Sequence, residues 1–286
     1  FNGRFCDVSG NNLVATDASK AVTELVLPSE GLVKIGANAF AMLTNCTRVD
    51  PLIPDSVTSL GDSAFASLAQ QPVRIWNVAT IANRCFGSSK ITEANIGPAL
   101  KNWNSGYGGS PVASCGQLTN INFDAGITGA KVWNGGQNGE HQFTGCSKLT
   151  GTLDFSGFTH IIGGRPFDGT PNIKKLIFGS GVTLSPATFS HHTKLEEVVF
   201  KGLPPTFNAT GTLFGSIPAT SIVVTYVPEE YTNEWAVYAK DGVVNSTTSC
   251  WSSDWVNENV QSMRPLVYKG QGGGGELGDW IFDNSD

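Results

Sequence analysis

The sequence is poor in charge and in several residue types that carry chemistry. Charged residues make up 15% of the 286 residues, and there are only two methionines and four histidines. The 18 basic and 24 acidic residues give a net charge of −6, which disfavours nucleic acid or an anionic membrane as the partner. No apolar run approaches the length of a membrane span. By contrast, 34 glycines, 14 prolines and 10% aromatic residues indicate a turn-rich, mostly β chain.

Catalytic and cofactor-binding motifs are missing from the sequence. There is no GxSxG, HExxH, EF-hand or P-loop pattern, and no cysteine spacing suggests zinc. Gly270, Gly272 and Gly275 spell GxGxxG, but they belong to a glycine run with no helix pattern after it. His191 and His192 are expected in a turn of the repeat described below. We therefore expect a non-enzymatic protein with no cofactor and no metal. A carbohydrate-active enzyme is a third alternative, although no motif supplies paired carboxylates.

One pattern recurs along the chain: a Phe, then a Leu or Ile about six residues later, then two alternating apolar residues. The Phe anchors are Phe40, Phe65, Phe86, Phe143, Phe167, Phe189 and Phe214. The long gap after Phe86 fits one extra repeat whose Phe has been lost. A period of roughly 20 to 29 residues with one short strand per unit predicts a single right-handed leucine-rich-repeat solenoid with short parallel strands and about eight repeats. In this register Phe167, Phe189 and Phe200 are expected to be buried and stacked on equivalents in neighbouring coils.

The residues of two repeats narrow the choice of repeat family. The segments IPDSVTSLGDSAFASL (Ile53 to Leu68) and LPSEGLVKIGANAF (Leu27 to Phe40) resemble the BspA-like leucine-rich repeats of secreted and surface proteins from bacteria and some protists. The resemblance covers about residues 22–228, and the middle repeats depart most from the pattern. It implies an extracellular or cell-surface location and a role in adhesion or protein recognition.

The solenoid is expected to be flanked by terminal segments. We divide the chain into an N-terminal segment or cap at 1–21, the solenoid at 22–228, a C-terminal cap at 229–270, and a Gly-rich connector with an acidic, aromatic tail at 271–286. A capping helix is predicted from Pro228 to Lys240, where Trp235 and Tyr238 form an apolar stripe. A strand is predicted from Pro265 to Tyr268. Because the first residue is Phe1, either a secretion signal has been removed or the sequence is a piece of a longer chain.

The cysteines are interpreted mainly as core residues. Cys46, Cys115 and Cys146 each precede an apolar mark of the repeat by three residues, where other units carry Ser88, Thr170 and His192. Cys85 directly precedes Phe86. A recurring small or polar residue at one register is a packing position, so we predict these four thiols to be reduced and buried. The states of Cys6 and Cys250 are left open.

Two repeats carry the related phrases KNWNSG and KVWNGG, which contain Trp103 and Trp133. An indole flanked by Asn suits sugar stacking. The register, however, aligns both indoles with core residues of other units such as Ile35 and Leu60, which favours buried side chains. The loop that follows then leaves Tyr107 exposed, together with residues 137–141.

The second candidate surface is the outward side of the long strands, which we call the strand face. Strand side chains alternate between two faces, so the neighbours of the inward apolar residues line one open side. The row is expected to end at Val223 and Thr225. The candidate binding residues are Trp76, Glu93, Asn95, Asn120, Asn122, Asp124, Thr152 and Asp154, with Tyr107 from the loop. The alternative is that such a row is simply what a solvated strand face looks like.

We therefore expect a secreted or cell-surface protein that binds a protein, matrix or glycan partner through the strand face. The alternative is a structural subunit of an extracellular filament, appendage or virion that self-assembles through its ends and its C-terminal tail. The polar strand face favours the first interpretation. The aromatic residues of the tail, Trp280 and Phe282 among them, favour the second.

Overall fold

The computed structural model describes most of the solenoid and short parts of the C-terminal region. The described residues are 6–9, 12–49, 53–69, 71–103, 109–133, 142–163, 167, 170, 172–185, 194–207, 222–231, 234, 255–257 and 263–269. In this part of the chain no helix is long and apolar enough to cross a membrane.

An antiparallel hairpin and a short helix precede the first coil. They are β1 (Cys6–Ser9), β2 (Asn12–Ala15) and α1 (Asp17–Ala21). Thr16 caps the helix: its hydroxyl accepts a hydrogen bond from the Ser19 N–H at 3.1 Å, and the Ser19 hydroxyl accepts one from the Thr16 N–H at 2.9 Å. The hairpin packs through the buried Cys6 against Ala41 and Ala66. These contacts attach the N-terminal segment to the turns of the first coils.

The long strands stack in parallel and form the strand face. They are β3 (Glu24–Leu25), β5 (Arg48–Val49), β7 (Val73–Ile75), β9 (Glu93–Ile96), β11 (Asn120–Phe123), β13 (Thr150–Phe155), β15 (Asn172–Phe178), β17 (Glu197–Phe200) and β19 (Ile222–Pro228). Strand pairing runs β3–β5, then β7–β9–β11, then β13–β15–β17–β19. The parallel solenoid predicted from the repeat is therefore confirmed.

A second set of strands, mostly only two residues long, forms a continuous parallel sheet that we call the second face. Its members are β4 (Lys34–Ile35), β6 (Ser59–Leu60), β8 (Thr80–Ile81), β10 (Asn102–Trp103), β12 (Ala130–Trp133), β14 (Phe158–Ile162), β16 (Thr183–Leu184) and β18 (Thr206–Phe207). They pair in sequence order from β4 to β18. Each coil from β3 to β18 thus contributes one strand to each of the two faces.

The turns that contain the Phe anchors are also hydrogen-bonded from coil to coil. Phe40 N–H donates to the Ala64 carbonyl at 2.8 Å, and Phe65 N–H donates to the Cys85 carbonyl at 2.7 Å. The residues two positions before and after Phe40, Phe65 and Phe86 adopt positive φ, as at Ser63 (52°). Such a conformation costs a non-glycine residue free energy, and the regular coil-to-coil hydrogen bonds offset that cost.

The Phe anchors form columns of rings in the core. The anchors Phe40 and Phe65 stack at 5.4 Å between ring centroids, and Phe178 and Phe200, at the ends of two long strands, stack at 5.4 Å in a second column. Phe167 and Phe200 are 1% and 0% exposed, as the repeat predicts. Phe189 and Phe214 lie outside the described residues. In the gap after Phe86, Val112 takes the anchor position, because Phe86 N–H donates to the carbonyl of the preceding Pro111 at 2.7 Å.

Several buried donors bond the carbonyl of the anchor in the preceding coil. Ser89 Oγ donates to the Phe65 carbonyl at 2.8 Å, Cys115 Sγ to the Phe86 carbonyl at 3.0 Å, and Cys146 Sγ to the Val112 carbonyl at 3.1 Å. The cysteine register is thus a hydrogen-bonding position as well as a packing position. The expectation that Ser88 shares it is wrong: the neighbouring Ser89 is buried there, and Ser88 is exposed with φ 56°.

The cysteines of the described part are free and buried. They are Cys6, Cys46, Cys85, Cys115 and Cys146. Burial raises the pKa of the Cys146 thiol to about 12 and raises that of Cys115 well above its ordinary value. These thiols therefore remain protonated and unreactive at neutral pH. Cys250 lies outside the described residues.

The C-terminal edge of the solenoid is covered by antiparallel strands. β21 (Met263–Lys269) pairs with β19 on the edge away from β17, and β20 (Trp255–Asn257) pairs with β21. The strand predicted from Pro265 to Tyr268 lies inside β21. A 3-10 turn follows β19 at Glu229–Tyr231. Most of the remainder of the predicted capping helix lies outside the described residues, so that helix stays a prediction.

Candidate interaction surface on the strand face

The candidate residues occupy adjoining outward positions on the long strands. Glu93 is the Cα partner of Asn120, and Asn95 is the Cα partner of Asn122. Between them, Ile121 is buried, so the alternation of the pleat turns the polar residues away from the core. Asn120, Asn122 and Thr152 are exposed, whereas Glu93, Asn95, Asp124, Asp154 and Trp76 are half-buried. The polar row therefore lies on the solvent side of the sheet.

Three of these side chains form a hydrogen-bonded network across two coils. The amide of Asn122 donates to Glu93 Oε1 at 2.9 Å and to Asn95 Oδ1 at 2.8 Å. The amide of Asn95 donates to the same Glu93 oxygen at 3.0 Å. The network fixes the orientation of both amides. It leaves Asn122 Oδ1 and Glu93 Oε2 with no hydrogen-bond partner among the described residues, so both oxygens are available as acceptors.

The two aspartates of the row are partly engaged in local structure. Asp124 Oδ1 accepts a hydrogen bond from the Gly126 N–H at 2.8 Å, and Asp154 Oδ1 accepts one from the Ser156 N–H at 2.8 Å. Lys201 pairs with Asp154 Oδ2 at 3.1 Å. Burial alone would raise the pKa of Asp154, but the hydrogen bonds from Ser156 and the Lys201 ammonium outweigh it and lower the pKa. These carboxylates stabilise turns as well as facing solvent.

Trp76 lies at the N-terminal border of the network. The Arg74 guanidinium lies 4.5 Å from the centroid of the Trp76 ring and covers one of its faces. Arg74 is also the Cα partner of Asn95 and pairs with Asp55 at 2.8 Å. The Arg74 guanidinium therefore holds the indole in place at the end of the strand next to the network.

The structure shows whether Trp103 is a core residue or a sugar-stacking residue, but it does not describe the side chain of Trp133. Trp103 is 1% exposed and contacts the Phe123 ring edge-on, with 5.3 Å between centroids. Its core interpretation is confirmed, and it cannot serve as a platform for a sugar. The side chain of Trp133, Tyr107 and residues 137–141 lie outside the described residues.

The predicted end of the outward row is wrong by one residue. The register pairs Glu197 with Val224 and Val199 with Tyr226, rather than with Val223 and Thr225. Val199 is also buried, at 7% exposed, so the row loses its outward character at β17.

The sequence analysis missed the outward residues of the second face altogether. Each of them directly precedes an apolar residue of its strand, as Lys34 precedes the buried Ile35 and Thr80 precedes the buried Ile81. That spacing is the signal that could have found them. Among the described residues, no cluster of three or more His, Cys, Asp or Glu side chains could hold a metal ion.

Comparison with known proteins identifies the family of these repeats. A family model described as the BspA type leucine rich repeat region matches residues 17–133 and 137–221, in six copies. No curated protein and no solved structure matches the chain. With six copies matched, the count of about eight repeats stays a prediction.

Proposed function

The chain belongs to the BspA type leucine-rich repeat family, and from that premise we propose that it is a secreted or cell-surface recognition protein that binds a partner through its strand face. Repeats of this family occur in surface proteins that interact with other proteins and are typically non-enzymatic. A solenoid presents an extended array of side chains on a rigid scaffold, which suits recognition of a protein surface.

The observation that carries this proposal is the network of Glu93, Asn95 and Asn122. A solvated row of independent polar side chains would lose rotamer freedom when a partner bound. Here three hydrogen bonds of 2.8 to 3.0 Å already hold the side chains, so part of that entropy cost is met in the free protein. The network therefore supports a preorganised contact surface.

Charge on the strand face favours a basic partner. Three cations of this face are engaged: Arg74 with Asp55, Lys175 with Glu197 at 2.5 Å, and Lys201 with Asp154. The carboxylates of Glu93 and Asp124, by contrast, have no ion pair among the described residues. We propose that a lysine- or arginine-bearing segment of a protein partner pairs with them.

The test compares the parent with an Asn122→Ala, Glu93→Gln double variant on immobilised matrix proteins, a lysine-rich peptide and neutral oligosaccharides. We expect the parent to bind the basic protein surfaces and the variant to bind them about tenfold more weakly, which corresponds to about 1.4 kcal/mol. Asn45→Ala is the matched control, because Asn45 is exposed, makes one amide hydrogen bond to the Lys20 carbonyl and lies outside the strand face.

Two outcomes would contradict the proposal. Equal binding by parent and double variant would move the site away from this network. Binding to neutral oligosaccharides alone would mean that the ligand is a glycan and not a basic protein segment. The architectural alternative rests on residues 271–286, which lie outside the described part of the chain, and it stays a prediction.

A further inference from the structure

The second face carries a row of outward side chains, one from each strand. The row consists of Lys34, Ser59, Thr80, Asn102, Lys131, His160, Thr183 and Thr206. None of these eight side chains is acidic, and neighbouring strands lie about 4.8 Å apart. The row therefore differs in chemistry from the strand face, where carboxylates recur along the stack.

The cationic centre of the row lies on β12 and β14. Lys131 is the Cα partner of His160, and Asn102 and Thr183 occupy the next positions on either side. Lys131 is exposed and has no ion pair or hydrogen bond with another described residue. The Nδ1 atom of His160 is hydrogen-bonded to Thr159 Oγ1 at 2.9 Å, and Nε2 has no hydrogen-bond partner among the described residues, so it is available to a ligand.

Hydroxyl and amide groups continue the row on both sides of this centre. The amide of Asn102 donates to Thr80 Oγ1 at 3.3 Å, and the hydroxyls of Thr183 and Thr206 are hydrogen-bonded at 2.9 Å. One pair of neighbouring side chains on each side of the centre is thus linked from strand to strand. Each hydroxyl can both donate and accept, which matches the hydroxyl groups of a sugar chain.

We propose that the second face binds an acidic glycan, with a carboxylate or sulfate of the chain at Lys131 and His160 and its hydroxyls along the neighbouring Asn and Thr side chains. Nucleic acid fits poorly, because this row offers few cations on a chain of net charge −6. An acidic peptide would match Lys131 and His160, but its backbone would not place hydrogen-bonding groups at the spacing of the flanking hydroxyls and amides. This site is separate from the strand face and takes a ligand of opposite charge.

The test uses isothermal titration calorimetry on the full chain with an oligogalacturonate and with its methyl ester, which has the same backbone but no charge. We expect the acidic oligosaccharide to bind and the ester to bind at least about tenfold more weakly, since charge-assisted hydrogen bonds are lost. Lys131→Gln should weaken binding of the acidic form by about tenfold. Lys148→Gln is the matched control, because Lys148 is also exposed, donates one hydrogen bond to Gln117 Oε1 and lies outside the row.

The pH dependence gives a second readout for His160. Its pKa is lowered by partial burial and by Lys131, which is the one other charged side chain on the strands next to it. A bound anion favours the protonated imidazole, so affinity should rise when the pH falls from about 7.5 to about 5.5. That rise should be reduced in His160→Gln and retained in Lys148→Gln.

The outcomes separate this proposal from the strand-face proposal. The Asn122→Ala, Glu93→Gln variant should keep its full affinity for the acidic oligosaccharide. No binding by the parent, or equal binding by Lys131→Gln, overturns the glycan site. If a poly-glutamate peptide binds as tightly as the oligosaccharide, the ligand is an acidic protein segment, and the glycan proposal is overturned. Thermal melting of each variant checks that it is folded.

Discussion

Phe65 lies in the middle of a column of three stacked rings, and its removal tests the repeat register directly. Its ring centroid is 5.4 Å from that of Phe40 and 5.5 Å from that of Phe86, and the residue is 0% exposed. Phe65→Ala removes the ring and leaves a cavity between its two neighbours. Replacements of this kind cost about 3 to 5 kcal/mol of unfolding free energy.

The structure points to the upper half of that range. Two ring contacts are lost together, and each aromatic pair contributes about 0.5 to 1.5 kcal/mol beyond the area it buries. The backbone also resists collapse into the cavity. Phe65 N–H is bonded to the Cys85 carbonyl at 2.7 Å, and Phe40 N–H is bonded to the Ala64 carbonyl at 2.8 Å. We therefore expect a loss of about 4 to 5 kcal/mol.

The measurement is urea unfolding followed by far-ultraviolet circular dichroism, with hydrogen exchange to locate the loosened coils. Thr58→Ala is the matched control in the same coil, because Thr58 is exposed, and it should change stability by under about 0.5 kcal/mol. Since each coil contacts mainly its neighbours, exchange should rise most in the coils around Phe65. An unfolding midpoint for Phe65→Ala equal to that of the control would refute the ring column as a source of stability.

Two further predictions concern the core thiols and the coil contacts. Burial raises the pKa of Cys85, Cys115 and Cys146 above the ordinary 9.0, because the folded core favours the protonated thiol. The contribution of these thiols to the free energy of unfolding is therefore complete below about pH 9 and is lost as the pH rises towards about 12. Urea unfolding between about pH 8 and pH 10 should show stability falling less steeply in Cys146→Ala than in the parent, and identical slopes would contradict this. At Gly157 an added Cβ would lie 2.2 Å from the Ile127 carbonyl oxygen, so Gly157→Ala should lower the melting temperature by several degrees, whereas an unchanged value would mean that the coils can separate.

The sequence predicts the interior of the solenoid well because each coil repeats the same packing problem. A ring at one register must meet a ring of the next coil, so Phe167 and Phe200 could be assigned to the core from spacing alone. In the coil that has no Phe anchor, Val112 occupies the same inward position. The cysteine register was also visible as a packing position, but its hydrogen bonds to carbonyls of the preceding coil depend on side-chain rotamers that spacing does not specify.

The candidate site was less predictable because it depends on contacts between coils. The bond from Asn122 to Glu93 joins residues 29 apart, and it forms only because β9 and β11 pair in the observed register. The second face was missed for a different reason. Two-residue strands such as β8 and β10 are too short to show the period-two alternation by which longer strands are recognised.

The way the coils stack also determines where recognition residues can be placed on the strand face. Directly after the long strands, an added Cβ at Gly97 would lie 2.2 Å from the Trp76 carbonyl oxygen, and one at Gly179 would lie 2.3 Å from the Ser156 carbonyl oxygen. Neither glycine admits a side chain without separating the coils, whereas other coils carry Asp124 and Lys201 at the equivalent positions. Inward positions are filled by the core. Ligand-specific variation is therefore available at the outward strand positions and at those positions after the strands that are not glycine, such as Trp76 and Asp124. The hydrogen-bonded network of Glu93, Asn95 and Asn122 occupies positions of the first kind.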